Sequence, residues 1–243
     1  MQLPLLFIIT RNKQAMVVKQ VYLFISLTFL LSILFCTPIF GQYKDAGLWT
    51  SVSFEARVVK KLSFNLAEEV RFNENITEAG AIFTDVGLSY KVNKHFQIAG
   101  NYRFTQRRRT DDYYSFRHRF YIDLKYEKKI KPFQLQIRSR LQDQYADIGR
   151  ALDGGVPEYY WRNKLTLKWD LDKPFLPYFS VELFSLLNYP RSYAFGGIRT
   201  SAGIEYSLSK HHKLDAYYMI QKELNASNPE TDFVIGVGYA YKL

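Results

Sequence analysis

From Leu48 to the last residue, apolar side chains recur at every second position in one run after another. A period of two marks strands with one apolar face, and no stretch of helical length shows a 3.6 period instead. In the first run Leu48, Thr50, Val52, Phe54, Ala56 and Val58 share a face opposite Trp49, Ser51, Ser53, Glu55 and Arg57. The fifth is the clearest, with Tyr114, Phe116, Phe120, Ile122, Leu124 and Tyr126 set against Arg117, Arg119, Asp123, Lys125 and Glu127. Eleven such runs can be followed, and the last carries Phe233, Ile235, Val237, Tyr239, Tyr241 and Leu243 to the C-terminal residue.

The runs are about 10 to 13 residues long, against about 5 to 6 for strands of soluble proteins and about 9 to 11 for a tilted membrane-spanning strand. Their connections alternate in length. Lys60-Lys61, Asn93 to His95, Lys128 to Lys131, Asp170 to Pro174 and Ser209 to His212 are short, whereas Asn73 to Gly80, Asp143 to Glu158, Leu187 to Gly197 and Leu224 to Glu230 are mostly longer. Short turns at one end and longer loops at the other are the outer-membrane arrangement.

Alternation alone leaves open whether the apolar face is buried, as in a soluble exported β-barrel binding protein, or turned to lipid. Aromatic residues close many strands (Tyr90, Tyr126, Trp169, Tyr206, Tyr241), the opposite face is heavily charged, and the final strand runs to the terminus. These features predict an all-β, antiparallel up-and-down transmembrane β-barrel. Because single-chain bacterial barrels have an even strand number, eleven runs point to about twelve strands, with ten also open.

The N-terminal segment supports export. Val21 to Phe35 is an uncharged apolar run preceded by Lys19, and Gly41 offers a small residue before Gln42, so residues 1–41 are expected to be a signal peptide and 42–243 the barrel. Residues 1–15, ahead of Met16, read as an upstream extension. Cys36 follows the bulky Phe35, which does not suit lipidation, and its loss with the leader would leave no cysteine. The expected location is the bacterial outer membrane. Expected partners are its lipid and, through the last strand, the barrel-assembly machinery.

Several short motifs carry a resemblance: Leu48-Trp49-Thr50-Ser51, Glu69-Val70-Arg71-Phe72, Tyr102-Arg103-Phe104, His118-Arg119-Phe120, Arg138-Ser139-Arg140, Tyr160-Trp161-Arg162-Asn163-Lys164, Pro177-Tyr178 with Glu182-Leu183, and Arg199 ahead of Gly203. Together they resemble the outer-membrane barrels of domain-of-unknown-function family 2490, over nearly the whole mature chain. The resemblance implies a fold and a location and brings no substrate or catalytic residues.

Charge adds a question of chemistry. The chain has 33 Lys plus Arg against 23 Asp plus Glu, and removing residues 1–41 takes only Arg11, Lys13 and Lys19, leaving 30 against 23. On the polar face, Arg103, Arg107, Arg117, Arg119, Arg138, Arg140, Arg162, Lys164 and Arg199 fall mainly in the half nearer the long loops. Asp85, Asp123, Glu182, Glu205 and Asp215 partly counter them. Guanidinium forks pair bidentately with a carboxylate of the wall or with an anionic solute, so the stripe fits either a structural network with Glu182 as internal partner or a small anion-biased pore.

An enzymatic alternative rests on His118, Ser139 and Asn163, polar exceptions on the apolar side of three successive strands. They would form a base, a nucleophile and an orienting amide for lipid hydrolysis, although the pattern as a whole favours no enzyme. No cofactor is expected. The histidines and acidic loop residues lack metal-ligand spacing, and the basic residues alternate through a wall rather than forming a nucleic-acid patch.

Overall fold

The structure, a computed structural model, describes residues 44–108, 113–145, 158–188, 195–226 and 228–243. The leader expected over residues 1–41 lies outside them, as do residues 146–157 of the longest connection. The eleven runs are strands: β1 (Lys44–Val59), β2 (Leu62–Asn73), β3 (Glu78–Lys91), β4 (Phe96–Arg108), β5 (Tyr114–Ile130), β6 (Phe133–Tyr145), β7 (Glu158–Trp169), β8 (Phe175–Leu186), β9 (Gly197–Ser207), β10 (His212–Glu223) and β11 (Thr231–Lys242).

Each strand pairs antiparallel with the next, and β1 closes the barrel on β11 as a parallel pair. Up-and-down neighbours reverse at every step, so with eleven strands the first and last run the same way. The twelve-strand expectation took the usual even number as a requirement. What a barrel requires is the absence of an open edge, and twelve consecutive pairs from Lys44↔Thr231 to Glu55↔Lys242 supply that. Lys44 and Thr231 both start at the long-loop end. The connection after β2 is tighter than expected, a turn over residues 74–77 whose Glu74 and Asn75 amides donate to the Asp45 carboxylate at 3.1 and 2.9 Å.

The register fixes the barrel's dimensions. Paired residues run around the wall from Val59 through Leu62, Tyr90, Ile98, Leu124, Ser139, Asn163, Leu183, Ile198, Lys222 and Thr231 back to Lys44, fifteen residues along β1 from the start, one of them absorbed by the irregularity at Arg57/Val59. With a rise of about 3.3 Å per residue and strands about 4.8 Å apart, this stagger tilts the strands by about 40° around a backbone radius of about 11 Å. A twelve-residue strand such as β2 then rises roughly 30 Å, the thickness of a bilayer's hydrocarbon core.

The faces are inverted relative to a soluble barrel. Ile122 and Phe120 on the outer face are 62% and 53% exposed, whereas Asp123 and Glu182 on the inner face are 2% and 3% exposed. This overturns the soluble binding-protein alternative, since no soluble wall turns its aliphatic row to water and its carboxylates inward. Tyr90, Phe96, Tyr126, Phe133, Trp169, Phe175 and Tyr206 ring the outer face near the short turns. Phe96 and Tyr126 sit 4.9 Å apart there, which matches the aromatic girdle of a membrane interface.

Candidate functional site

The inner face divides along the barrel axis. Near the short turns it is built from small, hydroxyl and amide side chains: Ser180 and Ser201 share a hydrogen bond of 2.6 Å, and Asn65 donates to Ser89 at 3.2 Å. Two ion pairs lie in this half, Lys242 to Glu55 at 2.8 Å and Lys168 to Glu205, while Asp215 accepts from the Tyr178 hydroxyl at 3.2 Å. Nearer the long loops the wall changes character.

A cavity of about 590 Å³ there is lined by Arg71, Arg103, Arg107, Arg119, Arg138, Arg140, Arg162, Lys164 and Arg199, all on the inward parity, against Glu69, Glu182 and Glu223. A wider cavity of about 780 Å³ adjoins it at Trp49, Arg71, Arg119 and Tyr160, and also takes in Arg117. Below, a constricted one of about 150 Å³ is walled by Lys164, Tyr178, Ser180, Glu182, Asp215 and Tyr217. Every cation proposed from the sequence therefore lines one of these spaces.

Three guanidiniums converge on Glu182. Arg138 reaches Oε1 at 2.5 Å, Arg162 reaches the same oxygen at 2.8 Å, and Arg199 lies 3.8 Å from Oε2. Arg162 also donates to Gln142 at 3.2 Å and Arg199 to Gln221 at 2.9 Å. Elsewhere the pairing is one to one. Arg140 binds Asp123 bidentately at 2.6 and 2.8 Å, and Arg103 binds Asp85 at 2.7 Å, with the Tyr121 hydroxyl donating to the same carboxylate at 2.6 Å. Arg119 finds only the amide oxygen of Gln144, and its Nε has no acceptor among the described residues.

The register explains why carboxylates run short. Directly across adjacent strands, Arg103 faces Arg119, Lys125 faces Arg138, Arg138 faces Lys164, and Arg140 faces Arg162. Like charges placed opposite one another destabilise a sheet. Aromatic rings hold several interior guanidiniums in addition to their carboxylates: Arg71, paired with Glu69, lies 3.5 Å over Trp49, Arg140 3.8 Å over Tyr121, and Arg162 and Arg199 lie 4.4 and 4.9 Å over Phe184. Sequence reasoning did not single out these rings. Their signal was available, because Trp49, Phe83, Tyr121 and Phe184 are bulky aromatics on the otherwise polar parity. Tyr217 fits flat on the wall only because glycine faces it from both sides, at Gly203 and Gly236; a Cβ on Gly236 would stand 1.9 Å from its ring.

The lipid-facing trio does not assemble. Ser139 does face Asn163, but across the other hairpin it faces Leu124, six residues along β5 from His118. Six residues of strand are about 20 Å, beyond any proton transfer. The groups are engaged elsewhere: His118 bonds the Tyr102 hydroxyl at 2.7 Å, and Ser139 accepts from the Trp161 indole at 2.8 Å.

Comparison with solved structures finds the NanC porin, in a rhombohedral crystal form, with a TM-score of 0.52 at 13% identity, covering 82% of this chain and 98% of that one. The beta domain of the Bordetella autotransporter BrkA follows with a TM-score of 0.46 at 12% identity, covering 76% and 85%. At these identities the first similarity speaks for the barrel fold alone. Comparison with curated proteins finds no match. The model of the family described as "Protein of unknown function (DUF2490)" matches residues 46–232, and the chain belongs to that family.

Proposed function

We propose that this barrel sits in the bacterial outer membrane and passes or holds small anionic solutes, with the cation-lined half of its interior as the selective element. The observation that carries the reading is the row of like-charge pairs. A network serving only to hold a wall together alternates sign across neighbouring strands, as Asp85 with Arg103 and Asp123 with Arg140 do. The row Arg103/Arg119, Lys125/Arg138, Arg138/Lys164 and Arg140/Arg162 does the opposite. It concentrates positive potential inside low-dielectric walls, which raises the local concentration of anions and favours their passage.

The two roles of arginine then fall to different residues. Arg103 and Arg140, each held bidentately by its own carboxylate, brace the wall. Arg119 and Lys164, which form no ion pair among the described residues, carry the excess charge that a solute experiences. The test is conductance of the refolded chain, residues 42–243, in a planar bilayer under a potassium chloride gradient. The reversal potential should lie on the anion-selective side. Arg119→Gln with Lys164→Gln should move it toward zero. A cation-selective current, or a reversal potential unmoved by the double substitution, would sink the proposal.

A further inference from the structure

Of the interior cations, those around Glu182 form the densest group. Arg138, Arg162 and Arg199 all lie within ion-pair range of that one carboxylate, and Lys164 stands directly opposite both Arg138 and Glu182 in the sheet. Three guanidiniums thus share one carboxylate, and a fourth cation stands beside it without an ion pair among the described residues. The three guanidiniums carry about fifteen N–H donors, of which Glu182, Gln142 and Gln221 take up about six. The Nε of Arg138 is buried without an acceptor among the described residues. The cavity these side chains line, about 590 Å³, is of the size of a small-molecule site.

From this cluster we infer that the barrel holds a specific, saturable site for a compact polyanion, a molecule bearing two or more phosphate or carboxylate groups, seated between Arg138, Arg162, Lys164 and Arg199. The inference rests on the anion reading above and deepens it. Excess positive charge gathered in a narrow space is costly until a counter-ion arrives. A chloride ion neutralises one charge and accepts few of the directed N–H groups. A polyanion offers several acceptor oxygens in the plane that a guanidinium fork matches, and it spans more than one fork at once. The cluster therefore discriminates by number of charges as well as by sign. Phe184, with Arg162 and Arg199 stacked on its ring, keeps two of the forks in place before the ligand binds, so little of the binding energy goes into ordering them.

The chain contains its own reporter. Of its three tryptophans, Trp161 and Trp169 are on the outer face, 44% and 50% exposed, whereas Trp49 borders all three interior cavities with Arg199 at 5.1 Å from its ring. In the refolded barrel carrying Trp161→Phe and Trp169→Phe, emission comes from Trp49 alone. Titration with pyrophosphate, and separately with citrate, should change that emission to a plateau, while acetate and chloride at matched ionic strength should not. Saturation by pyrophosphate alone identifies the class as phosphate-bearing, and saturation by citrate alone as polycarboxylate.

Lys164→Gln should weaken the saturating anion about tenfold, the loss of one charge-assisted contact. It should not lower the urea midpoint of the unliganded barrel, because it removes a cation that faces Arg138 and leaves Glu182 its three guanidiniums. A second variant, Arg199→Gln, gives the same readout from the other side of the cluster. Emission that never saturates, or Lys164→Gln and Arg199→Gln binding like the parent, overturns the site. The outcomes separate the two readings: anion-selective current without saturation overturns the site and keeps the pore, and saturation in a barrel that carries no current keeps the site and overturns the pore.

Discussion

Ser180 and Glu182 are successive inward residues of β8, yet they belong to different interiors. Ser180 meets Ser201 hydroxyl to hydroxyl at 2.6 Å, in a half of the barrel where hydroxyl and amide groups and the single ion pairs Lys168–Glu205 and Lys242–Glu55 lie on the inner face. Glu182 is crowded by three guanidiniums in a half where cations outnumber carboxylates on the cavity wall. Both halves hang on the same backbone ladder with the same outer coat of aliphatic and aromatic residues. The short-turn half closes and packs on few arginines, whereas the other half carries guanidiniums beyond those, such as Arg103 and Arg140, that a carboxylate of the wall holds one to one.

The sharpest way to break that contrast is Glu182→Gln. Removing the shared carboxylate leaves Arg138, Arg162 and Arg199 facing one another with amides for company, and breaking a buried ion-pair cluster in this way costs about 3–5 kcal/mol. The refolded variant should show a clear drop in urea midpoint, partly restored by polyvalent anions. If the midpoint is unchanged, water already screens the cluster and the two halves differ less than the geometry indicates.

A second, smaller effect tests how far the wall where the two halves meet, at Tyr217, depends on fit rather than charge. In Gly236→Ala the new Cβ would lie 1.9 Å from the Tyr217 ring, so the ring has to swing off the wall, at about 1–3 kcal/mol for an overpacked site. Combining the change with Tyr217→Ala should recover most of that loss, because the offending ring is gone. The unfolding midpoints of the single and double variants measure the coupling directly.

How much of this was legible beforehand follows from what a period of two can carry. Alternation located all eleven strands and assigned Arg117, Arg138 and Arg162 to one side and Ile122 and Phe120 to the other, because a strand's parity is local. The number of strands in the closed wall is a global property. The usual even number pointed away from the parallel seam between β1 and β11, and nothing in either strand's own pattern announces it. Pairing between charges was half legible. Glu182 was picked out from among five inward acids as the internal partner of the arginines, but which arginines reach it depends on stagger accumulated across β6, β7, β8 and β9. The same accumulation took His118 away from Ser139, although Asn163, one hairpin from Ser139, was placed correctly beside it.

The smallest expected effect is in the hydroxyl pair. Ser180→Ala leaves the Ser201 hydroxyl without its partner and should cost about 1 kcal/mol, whereas Ser180→Ala with Ser201→Ala removes both polar groups together and should come close to neutral. The asymmetry follows from burial, since Ser180 is 2% and Ser201 9% exposed and an orphaned hydroxyl at such a position has little water to turn to. Urea midpoints of the two single variants and the double one decide it. A double variant as damaged as Glu182→Gln would mean that the hydroxyl half is as specialised as the cationic half, and the functional reading would have to extend along the whole interior. A double variant near the parent would leave the short-turn half as plain wall and the cation-lined half as the part of the barrel with something to bind.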